Sequence, residues 1–294
     1  MITSELSLKE GKHVLAAPCL EVVVFSHAHP DGNGARLASV VRAFADRFGN
    51  DMAFYRLGNW RGFRPAGPAM FDTVFEWFAD ERFLARKQQA FTAHAGNKKS
   101  AAVPALELTL WGFDDPPLFI FRMALPLEMA ADPDPTLAFV RDAFAECPVH
   151  SGHCGFSFFW TTLDERAICA WAAPLMLRHP GLGFGNPVVL SNATCDGVVA
   201  VSWLTLLGKG IAADLGGRVA LERRLAKDVS IEDLGDGGLL LRAGYAPSLD
   251  DVGAYRAVGS LVAPRRTTDA ELDDLVIAGM TEDDAKRWLR RFFV

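Results

Sequence analysis

His27, His29 and Asp31 stand at alternate positions in "FSHAHPDGNGAR", just past the apolar run "CLEVVVF". A histidine, a histidine and an aspartate spaced this way at a strand end open the metal site of several binuclear hydrolases, in which metal-bound water is the nucleophile. Such a site also needs a histidine directly after the aspartate and distant His and Asp ligands to close both coordination spheres. Gly32 fills the first of those positions, and His13, His94, His150, His153 and His179 lie in no matching strand-end context. The same residues have a structural reading, because "PDGNG" is turn chemistry and Asp31 or Asn33 can cap the helix that follows. A metal-dependent hydrolase using His27, His29 and Asp31 is the alternative reading of the chain. The leading one expects no metal and no other cofactor.

Other candidate chemistry fares no better. In "HSGHCGF" (150–156) a histidine adjoins a cysteine, but neighbouring strand residues point to opposite faces, so His153 is badly placed to activate Cys154. "GLGFGNP" (181–187) imitates a phosphate loop without the Lys-Ser/Thr that completes one, and "LGDGG" (234–238) reads as a turn. No GxSxG elbow, kinase set or HExxH occurs. The expectation is a protein that is not an enzyme.

The elements that position these residues must come from a rich core. Half of the 294 residues are apolar, with 21 Phe and 7 Trp, which excludes a disordered or fibrous chain. A net charge of −6 lacks the basic face that direct nucleic-acid binding requires, and suits a basic protein partner. The start "MITSELSLKEGKH" has neither the basic opening nor the apolar segment of a signal peptide, and no run reaches the ~18 apolar residues of a membrane helix. Cys19, Cys147, Cys154, Cys169 and Cys195 are odd in number and scattered, and read as buried thiols. A cytoplasmic protein with no membrane association is expected.

Along the chain, "EVVVFSH" predicts a short buried strand, followed by a helix with Leu37, Val40, Val41, Phe44 and Phe48 on one face. A second helix carries Phe71, Val74, Phe75 and Phe78. "ALELTLWG" alternates as a strand with one wet face, and "PPLFIFRMALP" gives another strand. A capped helix begins within "ADPDPTLAFV"; then come strand "HCGFSFFW", helix "DERAICAWAAPLMLRH", strand "GVVAVSW" (197–203) and helix "TLLGKGIAADLGG" (205–217). Thr281 followed by acids predicts a last helix, with Lys286, Arg287, Arg290 and Arg291 matching its C-terminal dipole. Short, half-wet, closely spaced strands favour an α+β fold of mixed, mainly antiparallel sheets packed with helices. One domain over 1–294 is expected, with two similar lobes, 1–145 and 146–265, and a helical extension at 266–294.

The second half carries a recognisable series: "GHCGFSF" (152–158), "LMLRHPGL" (175–182), "VSWLTLLGKGIAADLGG" (201–217), "GGLLLRAGYAPSLDD" (237–251) and "YRAVGSLVAP" (255–264). With "GARLASVVRAFADRFGNDMAFYR" (34–56), it resembles the type VI secretion immunity family paired with VRR-Nuc-type nuclease toxins, over residues 20–265. The resemblance implies a bacterial protein that binds a cognate type VI effector toxin and neutralises it without chemistry. It gives its shared residues structural roles: Trp203 ends a strand, Gly216 and Gly217 release a helix with positive φ, and Gly244 with Pro247 shapes a turn. An acidic inhibitor would be steered to the basic cleft of a nuclease, or would cover the surface on which the toxin assembles. The candidate contacts are the acidic loops Asp114 with Asp115, Asp132 with Asp134, and Asp250 with Asp251; for each pair a solvated turn is the plain structural reading.

Overall fold

The apolar run around Val22 belongs to a much longer strand than its pattern predicts. In the computed structural model, which describes residues 6–28, 32–58, 60, 62–80, 88–111, 117–160, 165–183, 197–268, 270–272 and 275–293, β2 (His13–His27) runs for 15 residues. It pairs antiparallel with β8 (Ser151–Trp160) from Ala16↔Trp160 to Phe25↔Ser151. On its other side it pairs with β7 (Leu118–Leu125) from Leu20↔Leu125 to His27↔Leu118. Pro18 hides this length in the sequence, since proline cannot donate to a ladder. It is tolerated because the β7 ladder begins only at Leu20, so β8 is the sole long neighbour there.

Around β2 grows a single eleven-stranded antiparallel sheet. The other strands are β1 (Leu8–Glu10), β3 (Phe54–Leu57), β4 (Arg64–Pro65), β5 (Gln88–His94), β6 (Ala105–Trp111), β9 (Leu204–Leu207), β10 (Val229–Gly235) and β11 (Gly238–Ala243). Their order is β10-β11-β9-β8-β2-β7-β6-β5-β3-β4, with β1 added on β2. Strands from both halves of the chain thus share one sheet, joined where β2 meets β8.

Eight α-helices accompany it among the described residues: α1 (Gly34–Phe48), α2 (Asp72–Ala79), α3 (Pro133–Phe144), α4 (Glu165–Arg178), α5 (Lys209–Asp214), α6 (Gly217–Glu222), α7 (Gly253–Val262) and α8 (Glu282–Arg290). The fold is α+β. Successive residues of β2 enter different cores. Leu20, Val22 and Val24 join a cluster with Leu37, Val41 and Phe44 of α1, Val74 of α2 and Val140 of α3. Val23 and Phe25 join a second cluster with Ile168 and Met176 of α4 and Trp288 and Leu289 of α8. Each fully buried side chain of this size stabilises by about 1.5–3 kcal/mol.

Three expectations about elements need correction. The central strands are not half-wet: β7 and β8 are buried at every position, because helices cover both sides of the sheet. On β6 the polar Glu107 is turned to an ion pair with Arg122 rather than to open water. The segment 197–203 is not a strand; only Val198 makes an isolated bridge, to Arg266. The strand is instead Leu204–Leu207, where a helix was predicted, and α5 starts at Lys209. A run broken only by Ser202 and Thr205 cannot show its phase; here Gly197 is pressed onto the 265–267 backbone while Leu204, Leu206 and Leu207 fill the gap between β8 and β11. Trp203 accordingly precedes its strand instead of ending one, and is fully buried.

The helix ends follow the sequence more closely. Gly216 and Gly217 take φ of +91° and +73° between α5 and α6, and the Thr281 hydroxyl accepts from the Asp284 N–H at 3.1 Å. Asn33 occupies the N-cap of α1 without a side-chain capping bond; its Oδ1 accepts from Arg36 at 3.0 Å instead.

Candidate partner-binding face

Asp132 and Asp134 mark the start of α3, Asp132 as N-cap with no side-chain capping bond and Asp134 in the first turn, where a carboxylate complements the helix dipole. Asp134 has a second partner set that comes from far along the chain. Arg242, next to last in β11, donates from Nη1 to Asp134 Oδ1 at 2.8 Å. The same guanidinium donates from Nε and Nη2 to the carbonyl of Tyr245, at 3.1 and 2.5 Å. It lies 4.8 Å from the Tyr245 ring centroid and 5.8 Å from that of Trp203. The Tyr245 hydroxyl reaches Asp134 Oδ2 at 3.4 Å. Arg242 is thus spoken for on every side. The turn is made possible by Gly244, at φ +76°.

The loop between β11 and α7 is fixed along its length. The Ser248 N–H donates to the Tyr255 hydroxyl at 2.9 Å, and the Gly181 N–H to the Leu249 carbonyl at 2.7 Å. The contact at Gly181 is so close that a Cβ there would lie 1.9 Å from the Ser248 carbonyl. At the far end of the loop Asp250 meets His179 Nδ1 at 2.8 Å, and the Asp251 N–H donates to Ser248 Oγ at 3.0 Å. The structure therefore ties one member of the second predicted acidic pair, Asp134, to the start of this loop and places the third pair, Asp250 and Asp251, at its end. Asp114 and Asp115 lie outside the described residues. Asp134 and Asp250 are more than free solvated turns, since Asp134 holds the Arg242 guanidinium and Asp250 holds the His179 ring. Sequence reading treats "LLLRAGYAP" as turn geometry only and gives Arg242 and Tyr245 no part of their own. The sole clue is a tyrosine set directly after the glycine that ends a strand.

The residues with possible chemistry are placed differently. His27 closes β2 and meets His150 edge-on, with ring centroids 4.9 Å apart, while His29 and Asp31 lie outside the described residues. The two rings border a cavity of about 170 Å³ shared with Cys147, Lys209 and Asp236, and Arg36 ties its rim by bonding Asp236 at 2.6 Å. Among the described residues no three His, Cys, Asp or Glu side chains are grouped to hold a metal ion. Burial pushes the Cys147 thiol up to about 12 and that of Cys169 to about 11, and raises Cys19 and Cys154 as well. Four protonated thiols make poor nucleophiles. His153 is pushed down to about 4, by burial and then by the charge of Arg291, so it stays neutral beside Cys154. Cys195 lies outside the described residues.

A model of the TsiV family, described as type VI immunity for VRR-NUC, matches residues 36–292. The chain belongs to that family and is a type VI immunity protein, a class whose work is to bind a cognate toxin. The match runs on through α8, which the sequence resemblance left out. A solved structure of a Pseudomonas aeruginosa T6SS protein has the same fold, with a TM-score of 0.76 and 17% identity over 99% of this chain and 86% of that one. No curated protein matches the sequence. No helix among the described residues is long and apolar enough to cross a membrane.

Proposed function

We propose that this immunity protein neutralises a secreted antibacterial nuclease, and that it does so in the cytoplasm by stoichiometric binding without chemistry of its own. The observation that carries the reading is the family match, whose description names the VRR-NUC toxins. The net charge of −6 supports it, because a nuclease must present a basic cleft to its polyanionic substrate. Asp132, Asp134, Asp250 and Asp251, with Asp114 and Asp115, are the carboxylates proposed to face that cleft. In this mode the inhibitor stands where the phosphates would lie, so occupation of the cleft excludes nucleic acid directly. The protein itself does not bind nucleic acid.

The test mixes the purified chain with its cognate nuclease toxin and follows complex formation and DNA cleavage together. The expected result is a one-to-one complex with cleavage abolished, unchanged by His27→Ala. Continued cleavage at molar excess of the immunity protein would overturn the proposal.

A further inference from the structure

Tyr245 is two-thirds exposed, the only aromatic side chain so open among the described residues. A lone exposed aromatic would ordinarily sample several rotamers and pay entropy to stop doing so on binding. Here that cost is met in the free protein. Arg242 grips the Tyr245 carbonyl with two nitrogens and covers one face of the ring at 4.8 Å, while Asp134 holds both the third nitrogen and the hydroxyl. Behind Arg242 lies the fully buried Trp203, so the clamp is seated on the core. Tyrosine and arginine are the side chains most often found to dominate binding energy, and they do so when held rigid at the centre of a contact.

Resting on the reading that this protein inhibits a nuclease, we propose that Tyr245 is the aromatic anchor of the inhibitory complex, and that its open ring face takes a lysine or arginine from the toxin's nucleic-acid cleft. The charge of the surroundings selects that occupant. One ring face already stacks on a cation, and Asp134 at one end of the loop with Asp250 and Asp251 at the other attracts further positive charge. An acidic partner would meet repulsion from the same carboxylates. The role assigned to Arg242 is positioning: it touches Tyr245 and fixes it.

The test titrates the whole chain against a catalytically inactive form of the cognate nuclease by calorimetry, comparing wild type with Tyr245→Ala, Tyr245→Phe and Val219→Ala. Tyr245→Ala is expected to weaken binding at least about thirtyfold. Tyr245→Phe, which keeps the ring, stays near wild type, and so does Val219→Ala, which trims an equally exposed apolar side chain on α6. A thermal melt matching wild type shows that Tyr245→Ala is folded. Wild-type binding with Tyr245→Ala within about threefold of it overturns the anchor and leaves the inhibitor reading standing. No binding by wild type overturns both.

Discussion

Arg122 of β7 donates from Nε to Glu21 of β2 at 2.6 Å, and the two side chains are 4% and 1% exposed. Its Nη1 takes Glu107 of β6 at 2.6 Å and its Nη2 the Phe158 carbonyl of β8 at 2.7 Å, so one guanidinium ties four adjacent strands at the middle of the sheet. Burial alone would lower the pKa of Arg122, but Glu107 and Glu21 hold it above its ordinary value. Burial raises that of Glu21 despite its partner. Gly155, the register partner of Glu21, admits Ser202 instead of a side chain of its own, since a Cβ there would lie 1.9 Å from the Ser202 hydroxyl.

Arg122→Met tests this centre. The substitution keeps much of the volume and leaves two carboxylates and a carbonyl without their donor. Breaking one side of a buried ion pair costs about 3–5 kcal/mol, a large share of a stability of roughly 5–15 kcal/mol. Urea denaturation should show a loss of that size. A loss below about 1 kcal/mol would mean that Glu21 is already protonated in the fold and the pair adds little.

Two enclosed histidines make stability depend on pH. His153 and His94 are both pushed down to about 4, by burial first and then by the charges of Arg291 and Arg56. In the unfolded chain each titrates near its ordinary value of about 6.5. Between those limits the unfolded state binds the proton and the folded state does not, so stability falls as pH is lowered from 6.5 toward 4. The slope is at most about 1.4 kcal/mol per pH unit for each histidine. Glu21, with its raised pKa, pulls the other way on acidification, so the informative quantity is a difference. Unfolding free energies of wild type and His153→Gln, measured across this range, should show a shallower slope in the variant. Equal slopes would mean that His153 protonates freely in the folded protein.

Local pattern carried the helices well, because α1 and α3 present apolar faces at helical spacing and Thr281 announces its own cap. It carried the sheet only in part. β2 is obscured by Pro18, whose neighbours alone decide whether a missing donor is tolerated. The run from 197 to 207 is apolar but for Ser202 and Thr205, and close approach of Gly197 and Gly208 to other backbone decides where the strand lies. The binding face is less legible still. Aspartate pairs in loops are visible as letters, but the clamp on Tyr245 joins residue 134 to residues 242 and 245, and no local spacing records a contact made across the fold. Burial hides Arg122 equally well, since a single arginine in "LFIFRMAL" looks like a wet position on an edge.

Steering gives the last prediction. If the acids at the end of the β11–α7 loop face a basic cleft, they act mainly before contact, by raising the rate of encounter. Asp251 is exposed, and Asp250 is 70% exposed though paired with His179, so neither is expected to anchor the bound state. The double variant Asp250→Asn/Asp251→Asn should therefore associate with the toxin severalfold more slowly at low salt while dissociating at nearly the wild-type rate. The difference should shrink as ionic strength rises and the screening length falls to about 8 Å near physiological salt. Stopped-flow association over a salt series reads both quantities. An unchanged association rate would place these two carboxylates away from the interface, and a change confined to dissociation would make them contacts instead of guides.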